Sequence, residues 1–329
     1  MRLFTSSVAV LAFLAMPALA QDTAVDPAQM VAPAEEIELE PGAEAGETSG
    51  EHRFVLTFEP SDNAELGLIR EKFIRDGIFA SVLDELSDQI ALPADFPITF
   101  KKCDRINAWY SPADRAITFC YDLVQLFNHG YDTSSGPIKH LAGWADQGLV
   151  LTGTTLHVLL HEIGHAMVDI FDLPITGKEE DAVDQFATLT LIAQDEEGDA
   201  LEDRPSRLAI LGALMHQSLS VEGEKITSHY LSDVHSLGQQ RFYDTLCLVV
   251  GSNSDVYFPV IAPGATMVSK AYEEDPSAFD PEKLNAWLKL TDDLNLLPQS
   301  RLFSCSYEFE RYDASWDFMV ENFMKPKAD

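Results

Sequence analysis

The sequence predicts an α+β domain, with a small N-terminal sheet that includes an edge-strand hairpin, followed by a mainly helical C-terminal part. Residues 54–58 alternate between the two faces of a half-buried strand. Three further short strand-like runs lie between residues 98 and 120. From residue 154 onward the apolar residues recur at helical spacing. Strands therefore come first and helices follow.

Residues 1–20 have the features of a secretory signal peptide. They contain Arg2, an apolar run over residues 8–16 and the small-x-small ending of residues 18–20. The run is shorter than the roughly 20 residues that a spanning helix needs, although an uncleaved anchor is the alternative. We expect cleavage after Ala20, export to the periplasm or beyond, and no membrane span in the mature protein.

Residues 21–50 contain eight acids and three prolines, with no basic or aromatic residue. Such a segment lacks the apolar surface that offsets chain ordering, so we expect a disordered acidic linker. The folded domain should then comprise residues 51–329. We expect a core with the sheet at 51–195 and a helical part at 196–329.

The elements of the domain are predicted in order along the chain. A strand at 54–58 precedes a helical region at 64–90, which breaks at Gly77. Strands follow at 98–101, 106–110 and 116–120, then a helix at 121–127 and an irregular connection at 128–153. The main helix begins at Thr154 and ends before Pro174. Further helices are predicted at 178–194, 206–219, 239–250, 281–290 and 314–323.

The chain is strongly acidic, with 22 basic and 54 acidic residues and a formal net charge of -32. This surface repels phosphate backbones and anionic lipid, so a nucleic-acid partner is not expected. The charge either favours cationic substrates or keeps the protein soluble, and both interpretations stay open. The oligomeric state also stays open.

Four cysteines in an exported chain, with no CxxC pair, predict disulfides rather than a second metal centre. Three pairings are possible. Cys103 and Cys120 flank the predicted hairpin, which would bring them opposite each other. That leaves Cys247 to pair with Cys305.

His161, Glu162 and His165 form an HExxH pattern on the main helix. Residues four apart share a helical face, so the two imidazoles can reach one zinc ion while Glu162 acts as the base for its water. The alternative is a structural helix with two hydrogen-bonded histidines.

A catalytic zinc ion needs a third protein ligand and one open position. Glu180, at the start of the next helix, begins an ExxxD pattern that ends at Asp184. If that helix folds back on the first, Glu180 can bind zinc while Asp184 accepts a hydrogen bond from a ligand imidazole. There are two alternatives. Either Glu179 or Asp181 binds the zinc instead, or the acids only stabilise the start of the helix by offsetting its dipole.

The segments HEIGHA and EEDAVDQFA resemble the gluzincin peptidases, which include the thermolysin and membrane-associated CAAX-peptidase groups. A metzincin has a glycine and a third ligand histidine at the positions that Val168 and Phe171 occupy here. Their absence argues against a metzincin. Asn107 and Ala108 resemble the edge strand with which gluzincins pair the substrate backbone.

Residues 53–325 resemble a bacterial family of exported metallopeptidase-like proteins whose domain has no assigned function. NAWYSPADRAITFCYDL and HSLGQQRFYDTLCLVVGS carry this resemblance together with the two helices. It implies a zincin-like fold, a Zn²⁺ cofactor, a peptide or protein substrate, and Glu162 as general base.

The resemblance also implies a downstream donor that stabilises the oxyanion, and His235 is the first candidate. Behind it stand four further residues: His229, Tyr230, Arg241 and Tyr243. A helix cap before Ser236 is the structural alternative for His235. His157, one turn before His161, is a neighbour of the metal ligands, a fourth ligand itself, or a hydrogen-bonded core or rim histidine.

Two other functions stay open. The first is an inactive zinc-bearing envelope protein that binds a peptide or protein partner in the same cleft. The second is a helical binding module without metal. Metal content separates the second from a peptidase, and substitution of Glu162 separates the first.

Overall fold

The computed structural model describes residues 52–133, 145–219, 232–275 and 296–325. Within these ranges a four-stranded mixed sheet comes first and helices follow. The predicted α+β class is therefore confirmed. The predicted signal peptide and acidic linker, residues 1–20 and 21–50, lie outside the described residues, and the division of the domain at residue 195 stays a prediction.

The sheet has the strand order β1-β2-β4-β3. Its strands are β1 (Phe54–Phe58), β2 (Phe96–Lys101), β3 (Ala108–Ser111) and β4 (Ala116–Cys120). The first, second and fourth strands run parallel, whereas β3 pairs antiparallel with β4 in the predicted hairpin. β3 starts at Ala108 rather than Ile106 because the chain still bends at residues 104–106. The hairpin thus leaves β3 at one edge of the sheet.

Two helices between β1 and β2 supply part of the core. They are α1 (Ala64–Asp76) and α2 (Ile78–Gln89). Gly77, the predicted break, has φ 70° and ends α1 in the left-handed region that favours glycine. Phe73 and Phe79, which flank the break, lie 4.7 Å apart between ring centroids. This break therefore lets both helices contribute rings to one aromatic cluster.

The connection between the sheet and the main helix differs from the prediction. α3 (Tyr121–Thr133) and α4 (Gln147–Ile170) both extend into the predicted irregular stretch 128–153. Asp146 caps α4 by accepting a hydrogen bond from the main-chain N–H of Leu149. Most of α4 is buried, so its first turns show no single apolar stripe, and periodicity alone missed them.

Helices make up the rest of the described chain. They are α5 (Glu179–Ile192), α6 (Ser206–Leu219), α7 (Gly238–Ser252), α8 (Ser254–Ile261), α9 (Pro263–Glu274), α10 (Gln299–Leu302) and α11 (Cys305–Met319). A short 3-10 helix at Leu201–Asp203 and a π-helical segment at Val320–Met324 complete them. None of the helices in the described ranges is long and apolar enough to cross a bilayer.

The predicted helix at 206–219 matches α6, and α5 and α7 match within two residues at each end. The predicted helix at 281–290 lies outside the described residues. α8 and α9 were not predicted, and the helix expected at 314–323 begins at Cys305 instead. α8 is short and contains Pro259, while α11 buries only Cys305 and Trp316, so neither has a clear apolar stripe.

Both predicted disulfides are present. Cys103 is bonded to Cys120, which ties the chain entering β3 to the end of β4. Cys247 is bonded to Cys305, which joins α7 to α11. The first bond holds the edge hairpin, and the second holds the helix that carries Arg241.

Candidate metal centre

Two packed helices form the floor of the site. α4 carries His161, Glu162 and His165, and α5 packs against α4. Gly164 makes this packing possible, because a Cβ there would lie 2.7 Å from the Cβ of Val183 on α5. The glycine between the two histidines therefore lets α5 approach closely enough for its first turn to reach them.

Three imidazoles converge on one carboxylate oxygen. The Oε2 atom of Glu180 lies 3.2 Å from Nε2 of His161, 3.5 Å from Nε2 of His165 and 3.0 Å from Nε2 of His235. This oxygen is buried, so the three ring nitrogens take the place of water around it. A buried carboxylate oxygen is costly unless a cation satisfies it, which here is either a protonated imidazole or a metal ion.

The other nitrogen of each ring meets a different carboxylate. Nδ1 of His161 lies 2.7 Å from Asp184, Nδ1 of His165 lies 2.6 Å from Glu179, and Nδ1 of His235 lies 3.1 Å from Asp233. A carboxylate at Nδ1 fixes the ring orientation and leaves the Nε2 lone pair for a metal ion. All three rings therefore have the orientation of metal-binding histidines.

Arg241, in the first turn of α7, holds Asp184. Its Nε and Nη2 atoms donate to the two carboxylate oxygens at 2.6 and 2.7 Å. Burial alone raises the pKa of Asp184, but the contacts with His161 and Arg241 outweigh it and hold the pKa well below the usual range. Asp184 is thus an anion that orients His161.

The carboxylates favour positive charge at this centre. Burial lowers the pKa of His161, yet Asp184 and Glu180 more than compensate and raise it to about 9. The pKa of His165 is likewise raised by Glu180 and Glu179 against its burial, and that of His235 is raised chiefly by Glu180. A bound divalent cation would replace these protons, since metal binding to histidine requires the neutral ring.

These residues fit a zinc ion. Ligand atoms around a tetrahedral zinc, at about 2.0–2.2 Å from the metal, lie roughly 3.3–3.5 Å from one another. The distances from Glu180 to His161 and His165, at 3.2 and 3.5 Å, are close to that spacing, and His235 lies somewhat nearer, at 3.0 Å. His161, Glu180 and His235 form the described set whose ligand atoms all lie within 4.8 Å of one another, and the predicted ligand His165 is not in this set. Imidazole and carboxylate donors are also those that zinc prefers in catalytic sites.

Glu162 faces the edge strand rather than the other acids. Its Oε2 atom accepts a hydrogen bond from the main-chain N–H of Tyr110 at 3.0 Å. Asn107 and Trp109 direct their main-chain groups to β4, as the bond from Cys120 N–H to the Asn107 carbonyl and the strand register show. The alternate residues, Ala108 and Tyr110, therefore direct theirs to the open edge beside Glu162.

The structure brings most of the predicted site residues together. Asn107, Ala108, His161, Glu162, His235 and Arg241 line one cavity. His165, Glu180 and Asp184 adjoin it through the contacts above. His235 does not cap a helix, because the N-terminal cap of α7 is Leu237. Tyr243 packs against the core, while His229 and Tyr230 lie outside the described residues.

Sequence reasoning missed three contacts around the histidines. Glu179 pairs with His165 instead of competing with Glu180, and Asp181 accepts a hydrogen bond from Ser236 at 2.6 Å, beside His235. Each acid at the start of α5 therefore has a separate partner. The third missed contact joins Asp233 to His235. Their Asp-x-His spacing was the available signal for it in the sequence.

His157 belongs to the protein interior. It is fully buried, and its Nε2 atom lies 3.3 Å from the hydroxyl of Thr188. Burial lowers its pKa to about 4. These surroundings agree with the core-histidine interpretation. Thr188 connects His157 to the main chain of Asp184, because its hydroxyl donates to the Asp184 carbonyl.

The chain belongs to the family described as "Putative metallopeptidase", whose model matches residues 58–276. Comparisons with curated proteins and with solved structures find no match. The matched range contains every residue of the centre described above.

Proposed function

We propose that this protein is a zinc-dependent peptidase of the gluzincin type, in which Glu162 is the general base. The convergence of three Nε2 atoms on one buried Glu180 oxygen carries the proposal. Glu162 stands on the same helix, between two of those histidines. Membership of a metallopeptidase family supports the same class of reaction.

His161, His165 and Glu180 would hold the ion, with Asp184 orienting His161. Bound zinc supplies Lewis acidity and lowers the pKa of water to about 7. Glu162 takes the proton from the attacking water and delivers it to the leaving amine nitrogen. The Tyr110 N–H keeps the Glu162 carboxylate directed at the edge of β3, where this proton transfer takes place.

The substrate backbone would pair with β3. Ala108 directs its main-chain N–H and carbonyl groups to the open edge, and an extended peptide can add a strand there. Asn107 precedes Ala108 in the same cavity. This arrangement supports a peptide or protein substrate bound in an extended conformation.

An apolar side chain of the substrate would enter the cavity next to Glu162. The cavity encloses about 190 Å³, and Leu123, Phe127 and Val158 contribute apolar walls to it. A water molecule takes up about 30 Å³ in the liquid, so this space suits a side chain.

The predicted role of His235 is to donate a hydrogen bond to the oxyanion, and its ring lines the same cavity. We also propose that the protein works outside the cytoplasm, in the periplasm or as a secreted protein. Its two disulfides support this location, because such bonds persist in oxidising compartments.

The decisive experiment compares Glu162→Gln with Glu179→Gln in the full chain. Glu162→Gln should retain zinc and lose cleavage of a peptide library by about a hundredfold or more, because the base is gone while the ligands remain. Glu179→Gln, a matched change at an acid that only orients His165, should lose much less. A chelator should abolish cleavage by the parent.

Parental cleavage in Glu162→Gln would contradict the proposal. A parent that binds zinc and cleaves no peptide would favour the inactive, partner-binding alternative. If the folded parent binds no metal, the metal-free binding module is the function that remains.

A further inference from the structure

We propose that His235 is a fourth, displaceable ligand of the metal, so that the resting centre is closed and opens when His235 leaves. This proposal rests on the metal centre of the proposed function and adds a resting state to it. Three independent features support it: the distances to Glu180, the orientation of the ring, and the contrast in exposure between His235 and the other histidines.

Distance places His235 among the ligands. Its Nε2 atom lies 3.0 Å from Oε2 of Glu180, which is closer than Nε2 of His161 at 3.2 Å or of His165 at 3.5 Å. His161, Glu180 and His235 also form the set of ligand atoms within 4.8 Å of one another. A residue that only contacts a distant substrate oxygen has no need for this proximity.

Orientation points the same way. Asp233 accepts a hydrogen bond from the main-chain N–H of His235 at 2.9 Å and lies 3.1 Å from its Nδ1 atom. With Nδ1 paired to a carboxylate, a neutral ring presents a lone pair at Nε2, which binds a metal and cannot donate to an oxyanion. The His161 and His235 rings are also nearly parallel, at 19°.

Exposure makes His235 the ligand that can leave. Its side chain is 45% exposed, compared with 6% for His161 and 19% for His165. His161 and His165 are fixed on a buried helix, whereas His235 lies in the non-helical residues 232–237. The hydrogen bond from Ser236 to Asp181 keeps this segment on α5, so a released His235 stays beside the centre.

The closed and open states explain two roles for one residue. A zinc ion with four protein ligands has no open position, as in structural sites, whereas catalysis needs three ligands and a free position. Departure of His235 creates that position. Once released, the same imidazole lies within the cavity, where it can serve as the predicted hydrogen-bond donor after its Nε2 atom takes up a proton.

X-ray absorption spectroscopy of the zinc-loaded full chain tests this directly, because it counts imidazole ligands without measuring activity. The parent should show three imidazoles, and His235→Ala should show two. Acetohydroxamate, a small zinc-binding probe, should reduce the parental count to two by displacing His235. His235→Ala should also bind zinc on the order of tenfold more weakly, having lost one ligand.

A zinc-loaded parent with two imidazoles overturns the proposal without any variant, and so does a count that His235→Ala leaves unchanged. Three imidazoles that persist with acetohydroxamate bound to the metal would make His235 a fixed ligand, which also overturns displacement. A folded parent that binds no zinc refutes the proposed function itself. The failures of the two proposals are therefore distinguishable.

Discussion

The two sides of the metal centre are built from the same kind of pair but held in different ways. On one side, His161 pairs with Asp184, and both side chains are nearly buried, at 6% and 12% exposed. On the other, His235 pairs with Asp233, and both are about half exposed, at 45% and 46%. Arg241 adds two hydrogen bonds to the buried pair.

This difference separates a pair that supports the fold from one that can move. Breaking a buried ion pair leaves an uncompensated charge in the interior, while water replaces a partner at the surface. The buried pair also extends inward, through Thr188 to His157. Changes on the two sides should therefore have unequal effects.

The largest effect is expected for Asp184→Asn. The substitution preserves shape but leaves the Arg241 guanidinium without its buried carboxylate. The free energy of unfolding of the metal-free protein should fall by about 3–5 kcal/mol. Zinc affinity should fall by about 10- to 100-fold, because His161 loses its orienting partner. Denaturant unfolding and competition with a chelator measure the two quantities.

Asp233→Asn is the matched change on the exposed side. It should leave unfolding close to that of the parent and weaken zinc binding by less than about tenfold, since water screens this pair. Equal losses in the two variants would remove the distinction between the buried and exposed sides.

The next effect concerns pH and His157. Its folded pKa of about 4 is lowered by burial below the ordinary value of 6.5, so the unfolded chain takes up the proton first as the pH falls. Stability that is present above about pH 6.5 should therefore be lost progressively toward pH 4. The difference amounts to at most about 3.5 kcal/mol at roughly 1.4 kcal/mol per pKa unit.

His157→Gln, compared with the parent by denaturant unfolding across this pH range, should show a flatter curve. His129→Gln, at an exposed histidine, is the control and should follow the parent. If the free energy of unfolding of His157→Gln depends on pH as steeply as that of the parent, other groups cause the pH dependence.

The smallest effect is expected for Gly164→Ala, which tests how closely α4 and α5 pack. The new Cβ would lie 2.7 Å from the Cβ of Val183, so the helices must separate slightly. We expect a loss of about 1–3 kcal/mol in the free energy of unfolding, with weaker zinc binding because Glu180 moves with α5.

Gly67→Ala is the control for helix propensity. Gly67 lies within α1, and a Cβ there meets no atom within 4 Å. Alanine should stabilise this helix by about 0.5–1 kcal/mol. If both variants gain stability in thermal or denaturant unfolding, close packing at Gly164 does not limit the approach of α5.

Local patterns were sufficient for several parts of the molecule. The alternation at Phe54–Phe58 and the turn before Ala116 predicted the strands, and Gly77 predicted the helix break, because each signal lies within a few residues. The spacing of His161, Glu162 and His165 placed them on one helix for the same reason. The ExxxD spacing of Glu180 and Asp184 placed this pair on one face of the next helix in the same way.

Long-range contacts decided the rest. The sequence could not assign separate partners to Glu179, Glu180 and Asp181, because at a helix start all three read as acids that offset the dipole. The approach of His235 to Glu180 depends on how residues 232–237 pack on α5, which no local pattern encodes. Residue types and their spacing predicted a metal-binding helix, whereas only the packing of distant segments brought a third imidazole to the same carboxylate.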